Sequence, residues 1–280
     1  MVLSPLALAW LATDSRFTAV PSRRALAGML SQRLTRNGHF RSMWQLDGNI
    51  ACWNCELVSA AFDLLAPADG IRIRKVQRHA VDAVHILQVH FPGPISAGSI
   101  DAYVRTGDLI VRYPECPQSG FGLQLRWSLI PDPSVTAVEL LVSVHTSRLS
   151  LTTSLDIGNR FDPTVREGYS AQGEPVRTPP TGSRSAEDRP QVRCGLVLCR
   201  PLDVTWSYAE MTNAHAPTIR DEWSQPPHPS GGFRLFDGVL EKGVIRRARM
   251  RGIFFPRVRD LAVACQHFQA FLEAPTQLDT

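Results

Sequence analysis

Three arginines at alternate positions of one segment are the residues whose spacing most directly suggests a binding chemistry. Arg247, Arg249 and Arg251 alternate with Ala248 and Met250. Successive side chains of a β-strand point to opposite faces, so the pattern predicts a strand with three guanidinium groups on one face, about 7 Å apart. Such a row can bind carboxylate, sulfate or phosphate groups in bidentate fashion. The alternative is a solvated outer face whose arginines pair weakly with acidic residues of neighbouring strands.

A second candidate binding surface combines two aromatic rings with a carboxylate. Trp206, Tyr208 and Glu210 also occupy alternate positions and therefore share one face of a predicted strand. Aromatic rings beside a carboxylate suit stacking and hydrogen bonding on a sugar ring. Because the cores of β-sandwiches use tryptophan and tyrosine in the same way, burial in the core is the competing interpretation.

Cys52 and Cys55 form a CxxC motif, which occurs in redox-active and zinc-binding sites. A redox motif of this kind needs its first cysteine at a helix N-terminus within a parallel βαβ unit, whereas the downstream sequence predicts antiparallel strands. A zinc site needs two further ligands. Cys194 and Cys199 are spaced so that one regular strand directs them to opposite faces. The cysteines are therefore predicted to be structural thiols, without a bound metal.

Several local catalytic motifs do not occur in the sequence. It contains no GxxxxGK[ST], GxGxxG or GxSxG pattern, which weakens the case for nucleotide binding, dinucleotide binding and serine-esterase chemistry. No cofactor is predicted. Glycosidase chemistry is not excluded by these absences, because its two carboxylates are brought together only by the fold. Glu210 would be one member of such a pair.

The segments that must position these residues are predominantly β-strands. In residues 123–129 and 138–144, every second residue is apolar. This period of two, with one apolar face, is typical of antiparallel strands that cover a core. Residues 53–64 instead fit helical spacing, with a strand as the alternative. The predicted fold class is mainly β, with an antiparallel β-sandwich-like core.

One C-terminal α-helix is predicted to pack on this core. Its apolar stripe has helical spacing and consists of Leu261, Ala264, Cys265, Phe268, Phe271 and Leu272. Asp260 is the expected N-cap, and Pro275 lies just beyond the last turn.

The chain is predicted to contain a single folded domain with a preceding extension. Residues 1–42 are interpreted as a poorly ordered N-terminal extension, with one basic amphipathic helix as the alternative. Residues 43–274 form the predicted β-rich domain, and residues 275–280 form a tail. Within the domain, the stretches 158–191 and 213–232 contain many prolines and glycines and are predicted to be long flexible loops.

Composition limits the function classes without selecting one. The 280 residues are 44% hydrophobic and 20% charged, which is ordinary for a globular protein that buries a sizeable core. A net charge of +4 is too small to predict nucleic-acid binding. No run of about 18 apolar residues predicts a transmembrane segment. The lack of a clear secretory signal predicts a cytoplasmic location.

These observations favour a non-catalytic β-sandwich module that binds an anionic or carbohydrate ligand, or a protein partner, through the arginine face and the aromatic face. The leading expectation is that the protein is not an enzyme. Two alternatives stay open. One is a carbohydrate-active enzyme that uses paired carboxylates on a β-scaffold, and the other is a structural or assembly protein whose loops become ordered on a partner.

Overall fold

The computed structural model of the protein describes residues 44–55, 58–76, 79–93, 95–130, 132, 135–161, 164–170, 174–176, 195–213, 218–220 and 231–275. The N-terminal extension predicted for residues 1–42 lies outside this part of the chain, as do residues 276–280 of the predicted tail. Within the described ranges, no helix is both long enough and apolar enough to span a membrane.

Strands make up most of the described chain, and short turns connect many of them. In chain order, the strands among the described residues are β1 (Trp44–Asp47), β2 (Ile50–Asn54), β3 (Val58–Asp63), β4 (Ile71–Val76), β5 (His79–His90), β6 (Asp101–Arg105), β7 (Asp108–Tyr113), β8 (Gly122–Ile130), β9 (Thr136–His145), β10 (Ser150–Arg160), β11 (Thr164–Tyr169), β12 (Pro175–Val176), β13 (Leu196–Pro201), β14 (Trp206–Thr212), β15 (Thr218–Arg220), β16 (Gly231–Glu241) and β17 (Arg246–Pro256). Short 3₁₀ turns cover Pro67–Asp69 and Ala97–Ser99, and the helix α1 covers Asp260–Glu273.

The strands form two antiparallel sheets. Sheet A has the order β1-β2-β3-β4-β5-β10-β16-β15, and sheet B has the order β12-β11-β13-β14-β17-β9-β8-β7-β6. Neighbouring strands in both sheets run antiparallel. The predicted fold class, an antiparallel sandwich-like core with a C-terminal helix, is thus confirmed.

The two sheets pack against each other through one apolar core, and sheet B follows the predicted alternation. Leu125 and Trp127 of β8 and Leu140 and Val142 of β9 all point between the sheets and are buried. Sheet A contributes large side chains to the same core, among them Phe62, Ile71, Ile86, Ile157 and Phe233. Burying a side chain of this size stabilises the fold by roughly 1.5–3 kcal/mol.

Helix α1 covers a second apolar area, on the outer face of sheet B. Ala264, Phe268 and Phe271 of the predicted stripe are buried. They pack against a cluster from five strands of the sheet that includes Ala137, Tyr169, Leu196, Leu198, Ala209, Met211, Ile253 and Phe255. The described part of the molecule therefore has three layers: sheet A, sheet B and the helix.

Residues 53–64 contain strands, so the helical interpretation of their spacing is wrong and the strand alternative is correct. Strand β3 is buried at every position from Val58 to Phe62. Ala60 and Ala61 point to opposite faces of β3, and both are buried. Because both faces are covered, apolar residues occupy consecutive positions. A strand that is buried on both faces shows no period of two in its sequence.

Parts of the two predicted loops contain strands. Strands β11 and β12 lie within residues 158–191, and β15 lies within residues 213–232. The described residues of these stretches therefore take part in sheet pairing, whereas residues 177–194 and 221–230 lie outside the described chain. The flexibility of the two stretches stays a prediction.

The N-terminal end of α1 differs from the prediction, because Arg259 occupies the N-cap position and Asp260 is the first helical residue. Arg200 of β13 donates hydrogen bonds to both carboxylate oxygens of Asp260, at 2.7 and 3.1 Å. Ser207 of β14 donates a third, at 2.8 Å. Burial raises the pKa of Asp260, but the bonds from Arg200 and Ser207 outweigh it and hold that pKa below its ordinary value. The carboxylate therefore fastens the start of the helix to sheet B.

The C-terminal end of α1 is held by Arg249 of β17. Its Nη2 donates to the carbonyl oxygens of Phe271 and, at 3.1 Å, Ala274, and its Nη1 donates to that of Pro275 at 3.2 Å. The guanidinium carbon lies 4.3 Å from the centre of the Phe271 ring. The last carbonyls of a helix have no partner within the helix and carry the negative end of its dipole. Arg249 supplies both hydrogen bonds and a positive charge at that end.

We expect Arg249→Met to lower the free energy of unfolding by roughly 2–4 kcal/mol, because it leaves the buried carbonyl of Phe271 and the part-buried carbonyls of Ala274 and Pro275 without this donor. Urea denaturation measures this change. Arg247→Met is the matched control on the same strand face, and it should change stability by less than about 0.5 kcal/mol because Arg247 is exposed. Equal losses in the two variants would show that Arg249 does not hold the helix.

Candidate functional site

The three arginines of the predicted row lie on the outer face of β17, but each has a different environment. Ala248 and Met250 between them point into the core between the sheets. Arg249 lies under the end of α1, as described above. Arg251 donates two hydrogen bonds to one carboxylate oxygen of Glu139, at 3.1 and 2.7 Å. Arg247 is exposed, and it forms no hydrogen bond or ion pair with any part of the chain that the structure describes.

Arg247 lies in a groove of about 560 Å³ on the outer face of sheet B, which we call the outer groove. Its polar lining consists of Ser99, Asp101, Arg112, Gln124, Ser143, His145 and Arg247. Pro114 and Ile245, which are both exposed, add apolar surface. The groove therefore combines one cation that has no partner among the described residues with side chains that donate and accept hydrogen bonds.

Five of these polar residues form one continuous row across five strands. The register pairs Asp101 with Arg112, Arg112 with Gln124, Gln124 with Ser143, and Ser143 with Arg247. Neighbouring strands are about 4.8 Å apart, so the row extends for about 19 Å across the sheet. Sequence reasoning identified the strands but missed this row, because a residue's partner on the next strand depends on register that a single strand's pattern does not reveal.

The far end of the row is held in place by hydrogen bonds. Arg112 donates to Gln124 at 3.0 Å, to Asp101 at 3.1 Å and to the hydroxyl of Tyr103 at 3.2 Å. Asp101 offsets the charge of Arg112. Arg247 therefore supplies the cationic charge of the row that no described carboxylate offsets.

His145 lies at the edge of the groove, against the backbone of its partner on β8, Gly122. A Cβ atom at Gly122 would lie 2.6 Å from the imidazole Cε1 of His145. Any side chain at this position would push the ring away. Glycine thus allows the imidazole to lie close to the sheet in the lining of the outer groove.

Trp206, Tyr208 and Glu210 share one face of β14, and that face points into the core between the sheets. All three side chains are buried. The Tyr208 ring lies 4.9 Å from the rings of both Phe161 and Phe254, measured between ring centres. Ligand binding by these three residues stays a prediction, and their described surroundings are those of core residues.

Glu210 is a carboxyl group enclosed by the core. Its Oε2 accepts hydrogen bonds from Tyr208 Oη at 3.0 Å and from Asn159 Nδ2 at 3.1 Å. Its Oε1 is buried and has no hydrogen-bond partner among the described residues. Burial raises the pKa of Glu210 to about 7, although the bonds from Asn159 and Tyr208 and the charge of Arg166 act in the opposite direction. The group can therefore gain or lose a proton near neutral pH.

The paired carboxylates that a glycosidase needs are not evident around Glu210. Its hydrogen-bond partners are an amide and a phenol, and the charge that acts on it is the guanidinium of Arg166. A carboxyl with a pKa near 7 suits general acid–base catalysis, but Glu210 is fully buried. Among the described residues, Glu210 is therefore an acid of suitable pKa that has no second carboxylate among its hydrogen-bond partners.

The CxxC cysteines lie on and beside strand β2 rather than at a helix N-terminus. Cys52 is within β2, and Cys55 accepts a hydrogen bond from the backbone N–H of Val58 at 3.2 Å. Cys199 is buried in the core, and burial raises its pKa to about 12, whereas Cys194 lies outside the described residues. In the ranges that the structure describes, no group of three or more His, Cys, Asp or Glu side chains is placed to hold a metal ion.

Comparisons with known proteins show a distant likeness of fold. No protein-family model matches the sequence, and no curated protein matches it. A putative aldose 1-epimerase from Escherichia coli K12 aligns with a TM-score of 0.42 and 11% identity, over 77% of this chain and 99% of the other. A galactose mutarotase-like protein from Lactobacillus casei aligns with a TM-score of 0.37 and 11% identity, over 76% and 100%. Likeness at this level supports no statement about function.

We expect the free energy of unfolding to fall by about 2–3 kcal/mol between pH 5 and pH 8 on account of Glu210. The pKa is about 7 in the folded protein against an ordinary 4.5, so the unfolded chain loses this proton first. The contribution of Glu210 to stability is therefore complete below the unfolded-state pKa of 4.5, and it is lost as pH rises through the folded-state pKa of about 7.

Glu210→Gln removes this titration, and urea denaturation of both proteins at a series of pH values measures the difference. The difference in stability between variant and wild type should shift in favour of the variant as pH rises. Stability curves that run parallel over this range would contradict the assignment.

Proposed function

We propose that the protein is a binding module that holds an anionic or carbohydrate ligand in the outer groove. The observation that carries the proposal is that Arg247 is exposed and has no partner among the described residues. Arg249 and Arg251 on the same strand face already bind protein groups, whereas Arg247 is exposed without a described partner. A guanidinium on a sheet is well placed to form bidentate bonds with a carboxylate, sulfate or phosphate.

The size and lining of the outer groove support the same function. Its volume of about 560 Å³ lies within the range of about 300–1,000 Å³ that is usual for small-molecule sites. Gln124 and Ser143 each offer a donor and an acceptor, which suits hydroxyl-bearing ligands. Pro114 and Ile245 offer exposed apolar surface against which a sugar ring can lie.

A carbohydrate-active enzyme is the second candidate, and one observation favours it. Glu210 has a pKa raised to about 7 and an oxygen atom that no described group binds, as expected of an acid–base catalyst. Because the carboxyl is buried and the outer groove is open, the geometry supports the binding module better. The third alternative, an assembly protein, depends on loops that lie largely outside the described chain.

We expect Arg247→Gln to weaken binding to an immobilised anionic polysaccharide by about five- to tenfold, since one charge-assisted contact is lost. Elution from a dextran sulfate column in a salt gradient measures this, together with the urea midpoint to verify folding. Arg105→Gln is the matched control, because it removes the same charge from an exposed residue of β6 outside the groove lining. Elution of the two variants at the same salt concentration would contradict the proposal.

A further inference from the structure

The two arginines of the outer groove lie too far apart to bind one small anion together. Arg112 is on β7 and Arg247 is on β17, and the paired strands β8 and β9 lie between them. Three steps between neighbouring strands separate the two backbones by about 14 Å. Hydrogen bonds to Asp101 and Tyr103 also hold the Arg112 guanidinium towards β6, on the side away from Arg247. A ligand that engages both guanidinium groups must therefore extend across the strands.

Arg112 retains capacity for a ligand despite its three protein partners. A guanidinium carries five N–H donors, and the bonds to Asp101, Gln124 and Tyr103 use one donor each. Its side chain is 52% exposed. The remaining N–H groups and the exposed surface leave Arg112 able to contact an acidic group at the far end of the groove.

The residues between the two arginines are uncharged and capable of hydrogen bonding. Gln124 accepts from Arg112 through its carbonyl oxygen, so its amide N–H groups remain as donors. Ser143 follows in the next strand and offers a hydroxyl. The sequence of chemical groups across the sheet is cation, amide, hydroxyl and cation, which is complementary to a chain of hydroxyl-bearing rings with acidic groups spaced along it.

We infer that the ligand of the outer groove is an acidic oligosaccharide, such as a short chain of uronic acid residues, that lies across the strands from Arg247 to Arg112. The inference rests on the proposed function and adds the class and orientation of the ligand. A single sugar acid or an inorganic anion reaches only the Arg247 end. Single-stranded nucleic acid is usually bound by stacking its bases on aromatic side chains, whereas Tyr113, the aromatic residue of the described groove lining, is buried.

Titration calorimetry with galacturonic acid and its linear dimer, trimer and tetramer tests the inference, with maltotriose and maltotetraose as uncharged counterparts. We expect affinity to rise by at least about tenfold from the monomer to the longer acids, since a second bidentate contact is added. The uncharged sugars should bind at least about tenfold more weakly than the acids of equal length.

Two variants test the contributions of the two ends of the groove separately, with Arg105→Gln as the control for a lost surface charge. Arg247→Gln should weaken all the acids. Arg112→Gln should remove most of the gain in affinity with chain length, and it should weaken the binding of galacturonic acid less than Arg247→Gln does.

The remaining outcomes overturn either the inference alone or the inference together with the proposed function. Affinity that depends on Arg247 but not on chain length would overturn the inference and leave the proposed function standing. Binding of an oligothymidylate with the same charge and the same dependence on both arginines would also overturn it, because the ligand class would then be wrong. If no acid binds in a manner that depends on Arg247, both the inference and the proposed function fail.

Discussion

A guanidinium group can leave water only where acceptors replace the water molecules, and this constraint explains how the arginine strand is used. The carbonyl groups at the end of α1 need donors as much as Arg249 needs acceptors. Their contact places the helix over the apolar residues of sheet B, among them Phe255 and Met211. Glu139 meets the same requirement for Arg251. Arg251 also lies 4.9 Å from the ring centre of Phe271 on α1. Two of the three arginines thus contact the helix, and Arg247 is the member of the row that faces solvent.

The antiparallel register places the charge of Arg247 in a row of polar side chains that crosses sheet B. Because each strand pairs residue by residue with the next, Arg247 continues a line of polar side chains that ends at Asp101. The packed core and the strand register fix the spacing of the backbone positions that carry these side chains. Arg112 is already held by its protein partners, so a matching ligand would have to order chiefly Arg247, which limits the entropic cost of binding.

The sequence predicts much of the fold, and the reasons for its failures are physical. Strands β8 and β9 have one face in the core and one outside, so their alternation is visible, whereas β3 is buried on both faces and its alternation is lost. The stripe of Phe268 and Phe271 predicts α1, but no local pattern indicates that its end lies over Arg249, 22 residues from Phe271 in the sequence. Spacing correctly placed Tyr208 and Glu210 on one face, yet which layer covers that face is decided by the packing of the two sheets. The candidate groove combines five strands, and its register has no signature in any one of them.

Chemical modification of arginine by phenylglyoxal, followed by mass spectrometry of the peptides, tests most directly whether the arginine row is divided in this way. In the native protein, Arg247 should react readily, while Arg249 and Arg251, whose side chains are 5% and 12% exposed, should react only after unfolding. Polygalacturonate should protect Arg247 and leave the reaction of Arg105 unchanged. Equal reaction of all three arginines in the folded protein, or no protection of Arg247 by the polysaccharide, would contradict the account.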